Sequence, residues 1–353
     1  MEHDSHALDS SAPGTIPRTG YWPRREFVKG LAALAGSTGW LGLDMGLAAA
    51  EPRPEITGLR LTDDPYACLA PQYLAEPLLK AEGFVDVRYV NVGNGTGLEL
   101  VAAGKADMTM EFAGLVATRV DAGDPLLMLA GVHAGCFELF GTERVHAVRD
   151  LKGKTVAVLA LGAPEHLFLS SMLAYVGLDP RRDINWVAHS PTESMQLLAE
   201  GKVDGFLAFP PEPQELKAKG IGHVVVNTAV DKPWSEYFCC MLVGNREFVH
   251  KHPAASKRAL RAVLKAADLC AQDPPRAARL LVEKGHVPRY DYAVQVLKEL
   301  PYRAWRSYDP EDTLRFYSLR LHELGMIKAS PQKIIAQGAD WSYLNQLKKE
   351  LKA

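Results

Sequence analysis

Residues 99–112 read ELVAAGKADMTMEF, and residues 196–209 read QLLAEGKVDGFLAF. The two stretches align without a gap, and each passes from a helical pattern through a Gly-Lys turn and an aspartate into an apolar strand. Glycine suits the end of a helix because it readily adopts the left-handed backbone conformation that closes the last turn. The repeat therefore predicts two similar lobes, each built from alternating helices and strands.

The alternation of strands and helices continues around each copy. Strands are predicted at residues 55–61 and 84–92 before the first copy, and at residues 155–161 and 184–188 before the second. Apolar strands that alternate with helices are typical of a mostly parallel sheet with helices on both faces. A further apolar strand at residues 237–244 is followed almost entirely by helical patterns.

The first fifty residues differ in character from the rest. Arg24 and Arg25 are followed by Glu-Phe-Val-Lys and then by a moderately apolar stretch, residues 30–50, that ends in Leu-Ala-Ala-Ala. This is the layout of a signal peptide, and the paired arginines indicate the twin-arginine type. We expect cleavage near Glu51, export to the periplasm by the twin-arginine (Tat) translocase, and a mature protein that is not embedded in the membrane.

Composition excludes several classes of protein. The chain has 353 residues, of which 47% are hydrophobic, with 40 Lys+Arg against 42 Asp+Glu. These values argue against a disordered, collagen-like or polytopic membrane protein. A net charge of −2 also argues against nucleic acid as a partner, because nucleic-acid binders usually carry a basic surface.

The cysteines all follow the predicted signal peptide, and their spacings fit no zinc motif. An odd number in an oxidising compartment leaves at least one unpaired. We interpret them as buried packing residues and expect neither a metal site nor a cofactor. Cys239 and Cys240 are adjacent in a predicted strand, so only one of them can face the cleft. The five are Cys68, Cys136, Cys239, Cys240 and Cys270.

Three segments carry a resemblance to a known family: the paired turns AAGKAD and AEGKVD, residues 150–158 (DLKGKTVAV), and residues 248–253 (FVHKHP) before a long helix. Over roughly residues 56–290 the chain resembles the periplasmic substrate-binding proteins of ABC importers. The branch is the one that holds nitrate-, taurine- and alkanesulfonate-binding proteins and NMT1/THI5-like proteins. The resemblance implies an α/β fold of the two-lobed periplasmic-binding-protein type II, whose lobes close on a ligand.

This resemblance, with the repeat, predicts how the chain is divided. The hinge strands are expected near residues 141–145 and 230–237. The predicted ranges are 1–50 for the signal peptide, 51–143 for the first part of lobe 1, 144–232 for lobe 2, and 233–353 for the return to lobe 1 with the C-terminal helices.

Candidate ligand-binding residues follow from the rule that ligands bind beyond the carboxyl ends of parallel strands. Thr96, Ala163 and Thr192 stand at predicted helix N-termini, where free N–H groups can bind an anion. The full set is Tyr66, Cys68, Asn94, Thr96, Glu111, Phe112, Ala163, His166, Thr192, Phe209 and Glu212.

The character of these residues leaves the ligand open. Aromatic rings could form the walls of a cleft, whereas Glu111 and Glu212 repel anions and suit a ligand with amine or ring N–H donors. Ordinary roles, helix capping for the threonines and packing for the aromatic residues and histidine, remain equally open. The candidate ligands are therefore a sulfonate, nitrate, a carboxylate or a pyrimidine-like molecule.

The leading functional hypothesis is a non-catalytic solute-binding protein that delivers its ligand to an ABC permease. No Gly-x-Ser-x-Gly, His-Glu-x-x-His or Walker A sequence occurs. The alternative is a cofactor-binding protein or an enzyme similar to the pyrimidine synthases of thiamine biosynthesis, whose resemblance implies a cysteine-rich iron site. Here Cys239 and Cys240 are only a pair, so the sequence departs from that pattern. A sensor subunit is a third possibility.

Overall fold

A computed structural model describes residues 51–93 and 95–352. The predicted signal peptide and Asn94 lie outside the described residues. The strands are β1 (Gly58–Asp63), β2 (Asp86–Asn91), β3 (Met108–Phe112), β4 (Leu126–Ala134), β5 (Glu138–Gly141), β6 (Thr155–Val158), β7 (Asn185–Ala188), β8 (Gly205–Ala208), β9 (His223–Asn227) and β10 (Phe238–Asn245).

Helices connect the strands and dominate the C-terminal third. They are α1 (Ala70–Leu74), α2 (Glu76–Ala81), α3 (Gly97–Ala102), α4 (Ala113–Asp121), α5 (Pro164–Tyr175), α6 (Pro191–Ala199), α7 (Glu212–Lys219), α8 (Arg246–Lys251), α9 (Pro253–Gln272), α10 (Pro274–Glu283), α11 (Tyr290–Glu299), α12 (Pro310–Glu323), α13 (Pro331–Gly338) and α14 (Ser342–Glu350). Within the described residues, no helix is both long enough and apolar enough to cross a membrane.

The strands form two sheets of the same design, which confirms the predicted α/β fold with two lobes. The first sheet has the order β2-β1-β3-β10-β4 and the second β7-β6-β8-β5-β9. In each sheet the fourth strand, β10 or β5, runs antiparallel to both of its neighbours, and the other pairs are parallel. Both sheets are therefore mixed, with parallel strands in the majority.

The chain crosses between the sheets twice. The strand that follows each crossing, β5 or β10, is the antiparallel strand of the sheet that it enters. The first crossing, residues 135–137, joins β4 to β5, and the second, residues 228–237, joins β9 to β10. The first lies earlier than the hinge expected at residues 141–145, because Gly141 already pairs within the second sheet. The boundary predicted at residue 143 therefore falls beyond the first crossing.

The two crossing segments are held together at close range. Thr228 Oγ1 accepts hydrogen bonds from the amides of Cys136 (3.3 Å) and Phe137 (3.1 Å) and donates one to the Phe137 carbonyl (2.7 Å). Gly135 has a φ of 65°, and a Cβ there would stand 2.5 Å from Cα of Ala229. Glycine is required because the conformation and the space both exclude a side chain.

The repeated sequence performs the same task in both lobes. Asp107 accepts hydrogen bonds from the backbone amide of Arg60 (2.7 Å) and from its guanidinium (2.6 Å). Asp204 accepts them from the backbone amide of Thr155 (3.0 Å) and from Arg144 (2.7 Å). In each lobe the aspartate thus fixes the second strand in the sheet order, β1 or β6, beside β3 or β8, the strand that it precedes.

The glycines of the repeat adopt the predicted geometry. Gly104 and Gly201, which follow α3 and α6, both have a φ of 67°. This left-handed conformation ends each helix and turns the chain toward the next strand.

We expect Asp107→Ala and Asp204→Ala each to lower the free energy of unfolding by about 1–3 kcal/mol, because each leaves a backbone amide and an arginine without their partner. Urea unfolding measures the change. Glu143→Ala is the control, since Glu143 is exposed and its side chain makes no hydrogen bond to the described residues. If the aspartate variants matched this control, the repeat would be incidental to stability.

Candidate functional site

A cavity of about 210 Å³ lies between the lobes, beyond the carboxyl ends of the parallel strands. It is smaller than the ~300–1,000 Å³ typical of pockets for drug-sized ligands. The loops after β1, β2 and β3 supply its wall in the first lobe, and the loops after β6, β7 and β8 supply the wall in the second. Its position follows from the fold, because the strands of both sheets end at this cleft.

Six of the candidate residues line this cavity. They are Tyr66, Thr96, Glu111, Phe112, Phe209 and Glu212.

Other candidates stand beside the cavity. Ala163 is the N-cap of α5, and the next two residues, Pro164 and Glu165, line the cavity in its place. His166 is buried, accepts a hydrogen bond from the Gly162 amide at Nδ1 (3.0 Å), and packs against Trp186. Its contacts are those of a structural histidine.

The two threonines differ. Thr96 caps α3, where its Oγ1 accepts a hydrogen bond from the Glu99 amide (3.4 Å), and it also lines the cavity. Thr192 is exposed, and the cap of α6 is Ser190, whose Oγ accepts from the Glu193 amide (3.3 Å). Thr192 lies in the first turn of α6, as predicted, but the residue that caps this helix is Ser190.

Aromatic rings join the lobes across the cleft. Tyr66 from the first lobe and Phe209 from the second meet edge to face, with ring centroids 5.0 Å apart. Phe137, in the first crossing segment, lies 5.0 Å from Phe209 and 5.5 Å from Phe112. The cavity therefore has a continuous aromatic surface that runs from one lobe through the crossing to the other.

Three glutamates hold the ends of three strands. Glu111 accepts a hydrogen bond from the Phe112 amide (2.8 Å), Glu165 from the Leu159 amide (2.8 Å), and Glu212 from the Phe209 amide (3.2 Å). Each uses one carboxyl oxygen for this bond. The second oxygen of each makes no hydrogen bond to the described residues and is available to a ligand.

Burial changes the protonation of the carboxyl groups in the cavity. It raises the pKa of Glu111 to about 8 and that of Glu212 to about 7. Burial, with the neighbouring Asp63 charge, raises the pKa of Asp64 to about 6, and burial raises the pKa of Glu165. The physical cause is that a charged carboxylate loses its hydration in an apolar surrounding. Near neutral pH the cavity thus holds both protonated and ionised carboxyl groups.

Asp64 and Glu165 were not among the candidates. Asp64 follows β1 directly, and Glu165 lies in the first turn of α5, the helix that follows β6. The rule that ligands bind beyond the carboxyl ends of parallel strands, which selected Tyr66 and Glu111, therefore applies to both of them as well. Among the described residues that line the cavity there are four carboxyl groups and no lysine, arginine or histidine.

Beneath the cavity, four side chains that can bind a metal converge. Cys68, His133, Cys136 and Cys240 are buried, and their ligand atoms all lie within 4.8 Å of one another. Cys240 also lines the cavity, whereas Cys239 does not, as expected for neighbours in a strand. The expectation that the cysteines are buried packing residues is confirmed as to their burial, since all five are buried and free.

The profile of a family described as NMT1/THI5 like matches residues 78–277 of the chain. The chain belongs to the NMT1/THI5-like family. Among curated proteins, a match of 26% identity over 136 residues connects it to the nitrate import ATP-binding protein NrtC of Synechocystis sp.. This match takes in 38% of the present chain and only 20% of NrtC, so the chain spans about a fifth of that relative's length.

Solved structures share the fold across most of the chain. The periplasmic nitrate-binding protein NrtA from Synechocystis superposes with a TM-score of 0.70 at 16% identity, over 85% of this chain and 90% of NrtA. The alkanesulfonate-binding protein SsuA from Xanthomonas axonopodis pv. citri, bound to MOPS, gives a TM-score of 0.63 at 18% identity, over 83% of this chain and all of SsuA.

An enzyme also has this fold. The desulfurization enzyme DSZB superposes with a TM-score of 0.60 at 16% identity, over 84% of this chain and all of that one. The fold is thus common to binding proteins and to at least one enzyme.

We expect the stability of the ligand-free protein to fall as the pH rises from about 4.5 to about 8, the range between the ordinary pKa of a glutamate and that of Glu111. In this range the folded state holds a proton that the unfolded state has released, so rising pH favours unfolding. Glu111→Gln keeps a neutral side chain and should reduce the slope by up to about 1.4 kcal/mol per pH unit.

Urea unfolding at several pH values measures these slopes. Glu143→Gln, at an exposed position, is the matched control and should leave the slope of the wild type unchanged. Identical slopes for wild type and Glu111→Gln would mean that Glu111 is ionised in the folded protein.

Proposed function

We propose that this protein is the solute-binding component of an ABC importer and that it captures a small organic base, either a cation or a nitrogen heterocycle rich in N–H donors such as an aminopyrimidine. The single observation that carries the choice of ligand is the set of four carboxyl groups in a cavity whose described lining holds no basic side chain. Membership of the family and the shared fold support the binding role.

The protonation of the carboxyl groups supports this class of ligand. Near pH 7 Asp64, with a pKa of about 6, is mostly ionised, and Glu111, with a pKa of about 8, is mostly protonated. A carboxylate accepts hydrogen bonds from amino groups, and a protonated carboxyl donates one to a ring nitrogen. An aminopyrimidine presents both kinds of group on one edge, so it can use both carboxyl states at once.

The aromatic walls suit the same ligand. Tyr66 and Phe209 approach from opposite lobes, and a flat ring that contacts both would hold the lobes closed. An aromatic face also attracts a cation, by roughly 0.5–2 kcal/mol. The small volume of the cavity favours a single substituted ring over a larger molecule.

Anions fit this cavity poorly. NrtA is a nitrate-binding protein, and the SsuA structure contains MOPS. In the present chain a nitrate or sulfonate would enter beside four carboxyl groups, of which Asp64 is mostly ionised near pH 7, and like charges in a site shielded from water repel strongly. We therefore assign to this protein a ligand that is a cation or a neutral base, in contrast to the anions named for NrtA and SsuA.

The location and partners follow from the same proposal. The twin arginines at Arg24 and Arg25, with the apolar stretch behind them, support export to the periplasm by the Tat translocase. There the closed, ligand-bound protein would dock on an ABC permease and release the ligand to it.

An enzyme is the second candidate, and the thiol of Cys240 in the cavity wall favours it. A thiol beside carboxyl groups is a combination used in nucleophilic and acid–base chemistry, and DSZB has the same fold. Conversion of a bound aminopyrimidine to a product, followed by mass spectrometry and abolished by Cys240→Ser, would favour an enzyme of the THI5-like kind over a carrier.

We expect 4-aminopyrimidines and benzylamine-type cations to bind, and nitrate, taurine and methanesulfonate not to bind, in isothermal titration calorimetry at pH 7. Glu111→Ala and Glu212→Ala should each weaken binding by about 10- to 100-fold, because a hydrogen bond to a charged or buried carboxyl contributes about 1.5–3 kcal/mol. Glu143→Ala should bind as the wild type does.

Stronger binding of nitrate or a sulfonate than of any base would refute the choice of ligand and leave the binding role intact. A protein that bound none of these probes, and whose lobes did not close in small-angle X-ray scattering with any of them, would contradict the binding role itself.

A further inference from the structure

We infer that Cys68, His133, Cys136 and Cys240 form a zinc site under the floor of the cavity. The four residues, referred to below as the thiol cluster, were not expected to bind a metal. Their donor atoms, three sulfurs and one imidazole nitrogen, all lie within 4.8 Å of one another.

The spacing of the donor atoms matches a tetrahedral metal. With Zn–S bonds of about 2.3 Å and Zn–N bonds of about 2.0–2.1 Å, two sulfurs of a tetrahedral site stand about 3.8 Å apart, and a sulfur and a nitrogen about 3.6 Å apart. His133 Nδ1 is already 3.8 Å from Cys136 Sγ. Side-chain movements of an ångström or less would therefore bring the whole cluster around one ion.

The choice of zinc follows from the chemistry of the donors. Three thiolates and an imidazole are soft to borderline ligands, which disfavours Mg²⁺ and Ca²⁺. Cys₃His sets that are fully supplied by the protein are typical of structural zinc. Zinc also remains in one oxidation state, so the site needs no electron donor or acceptor, and the three thiols release their protons to solvent on binding.

His133 supplies an independent observation. Its ring is completely buried, and Nδ1 is the ring nitrogen that faces the cluster. Nδ1 makes two long contacts, to the Ala134 carbonyl at 3.3 Å and to Cys136 Sγ at 3.8 Å. A metal ion bound at Nδ1 would replace these weak contacts with a strong bond.

The scaffold around the cluster is rigid on three sides. His133 and Cys240 face each other on adjacent strands, β4 and β10. The Cys68 carbonyl accepts a hydrogen bond from the buried Tyr302 hydroxyl (3.0 Å). Cys136 lies in the first crossing segment, and its amide is held by Thr228 of the second. A zinc ion here would connect the first sheet to the crossing on which the lobes turn.

The test uses the full exported chain, purified under reducing conditions and freed of metal with a chelator. We expect one zinc per chain by competition with a chromophoric chelator. Cobalt(II) should give sulfur-to-cobalt charge-transfer absorption and the intense visible bands of tetrahedral coordination. Cys136→Ser and His133→Gln should each weaken zinc binding by more than about 100-fold, beyond the 10–100-fold cost of losing a second-shell partner.

Cys270→Ser is the matched control, because Cys270 is also a buried free cysteine but lies in α9, outside the cluster. It should bind zinc as the wild type does. Circular dichroism establishes that each variant is folded, and the cobalt spectrum of the wild type tests the site even if a variant does not fold.

Three results would overturn the inference: no stoichiometric zinc in the wild type, an octahedral cobalt spectrum, or zinc affinity unchanged in Cys136→Ser. A disulfide within the cluster of the protein isolated from the periplasm, seen as a loss of two hydrogens by mass spectrometry, would also overturn it.

The zinc site and the proposed ligand, on whose cavity the inference does not depend, can be tested and refuted separately. Cys136 is not among the cavity-lining residues, so Cys136→Ser should lose zinc and still bind an aminopyrimidine. Glu111→Ala should show the reverse pattern. Loss of base binding by the wild type, with zinc retained, would refute only the proposed function.

Discussion

The structure depends on the insertion of β10 into the first sheet. This strand arrives from the second lobe, runs antiparallel between β3 and β4, and is buried along its whole length. Without it β4 would lose its partner in the sheet, and the second crossing would have no fixed end. The same pairing places Cys240 opposite Phe112 on one side and opposite His133 on the other. One strand thus completes the first sheet, anchors the hinge and supplies a side chain to both sites.

The carboxyl groups of the cavity are expensive to bury, and their hydrogen bonds explain why the fold retains them. Glu111, Glu165 and Glu212 each bind the amide at a strand end, where the sheet ladder no longer provides an acceptor. This bond uses only one carboxyl oxygen of each glutamate. The other oxygen of each group has lost its hydration without gaining a partner, and the pKa values of Glu111 and Glu212 are raised as a result. A ligand that donates hydrogen bonds or carries a positive charge would offset this cost. Structural need and ligand preference therefore arise from the same side chains.

The local sequence pattern predicted much of the fold. The features that depend on pairing between strands far apart in the sequence could not be predicted in this way. The repeat around Asp107 and Asp204 identified both lobes, because its helix, glycine turn and strand are all determined by neighbouring residues. Strand β4 is buried on both faces and so shows no alternation, and the position of the first crossing depends on its distant pairing with β10. Six of the cavity residues followed from the strand-end rule, whereas the thiol cluster did not, since its members come from three elements and a crossing segment far apart in sequence.

The two sites share more than Cys240. Three thiolates and a Zn²⁺ ion carry a net charge of −1, which lies directly below a cavity already lined by carboxyl groups. Zinc would therefore add to the preference for a cation or an N–H donor, and it would do so without exposing a reactive thiol to the ligand. Cys136 and Phe137 are consecutive in the crossing, one in the thiol cluster and the other in the aromatic surface of the cavity. The crossing therefore contributes one residue to each site, and a zinc ion bound to Cys136 would fix the backbone next to Phe137 without occupying the cavity.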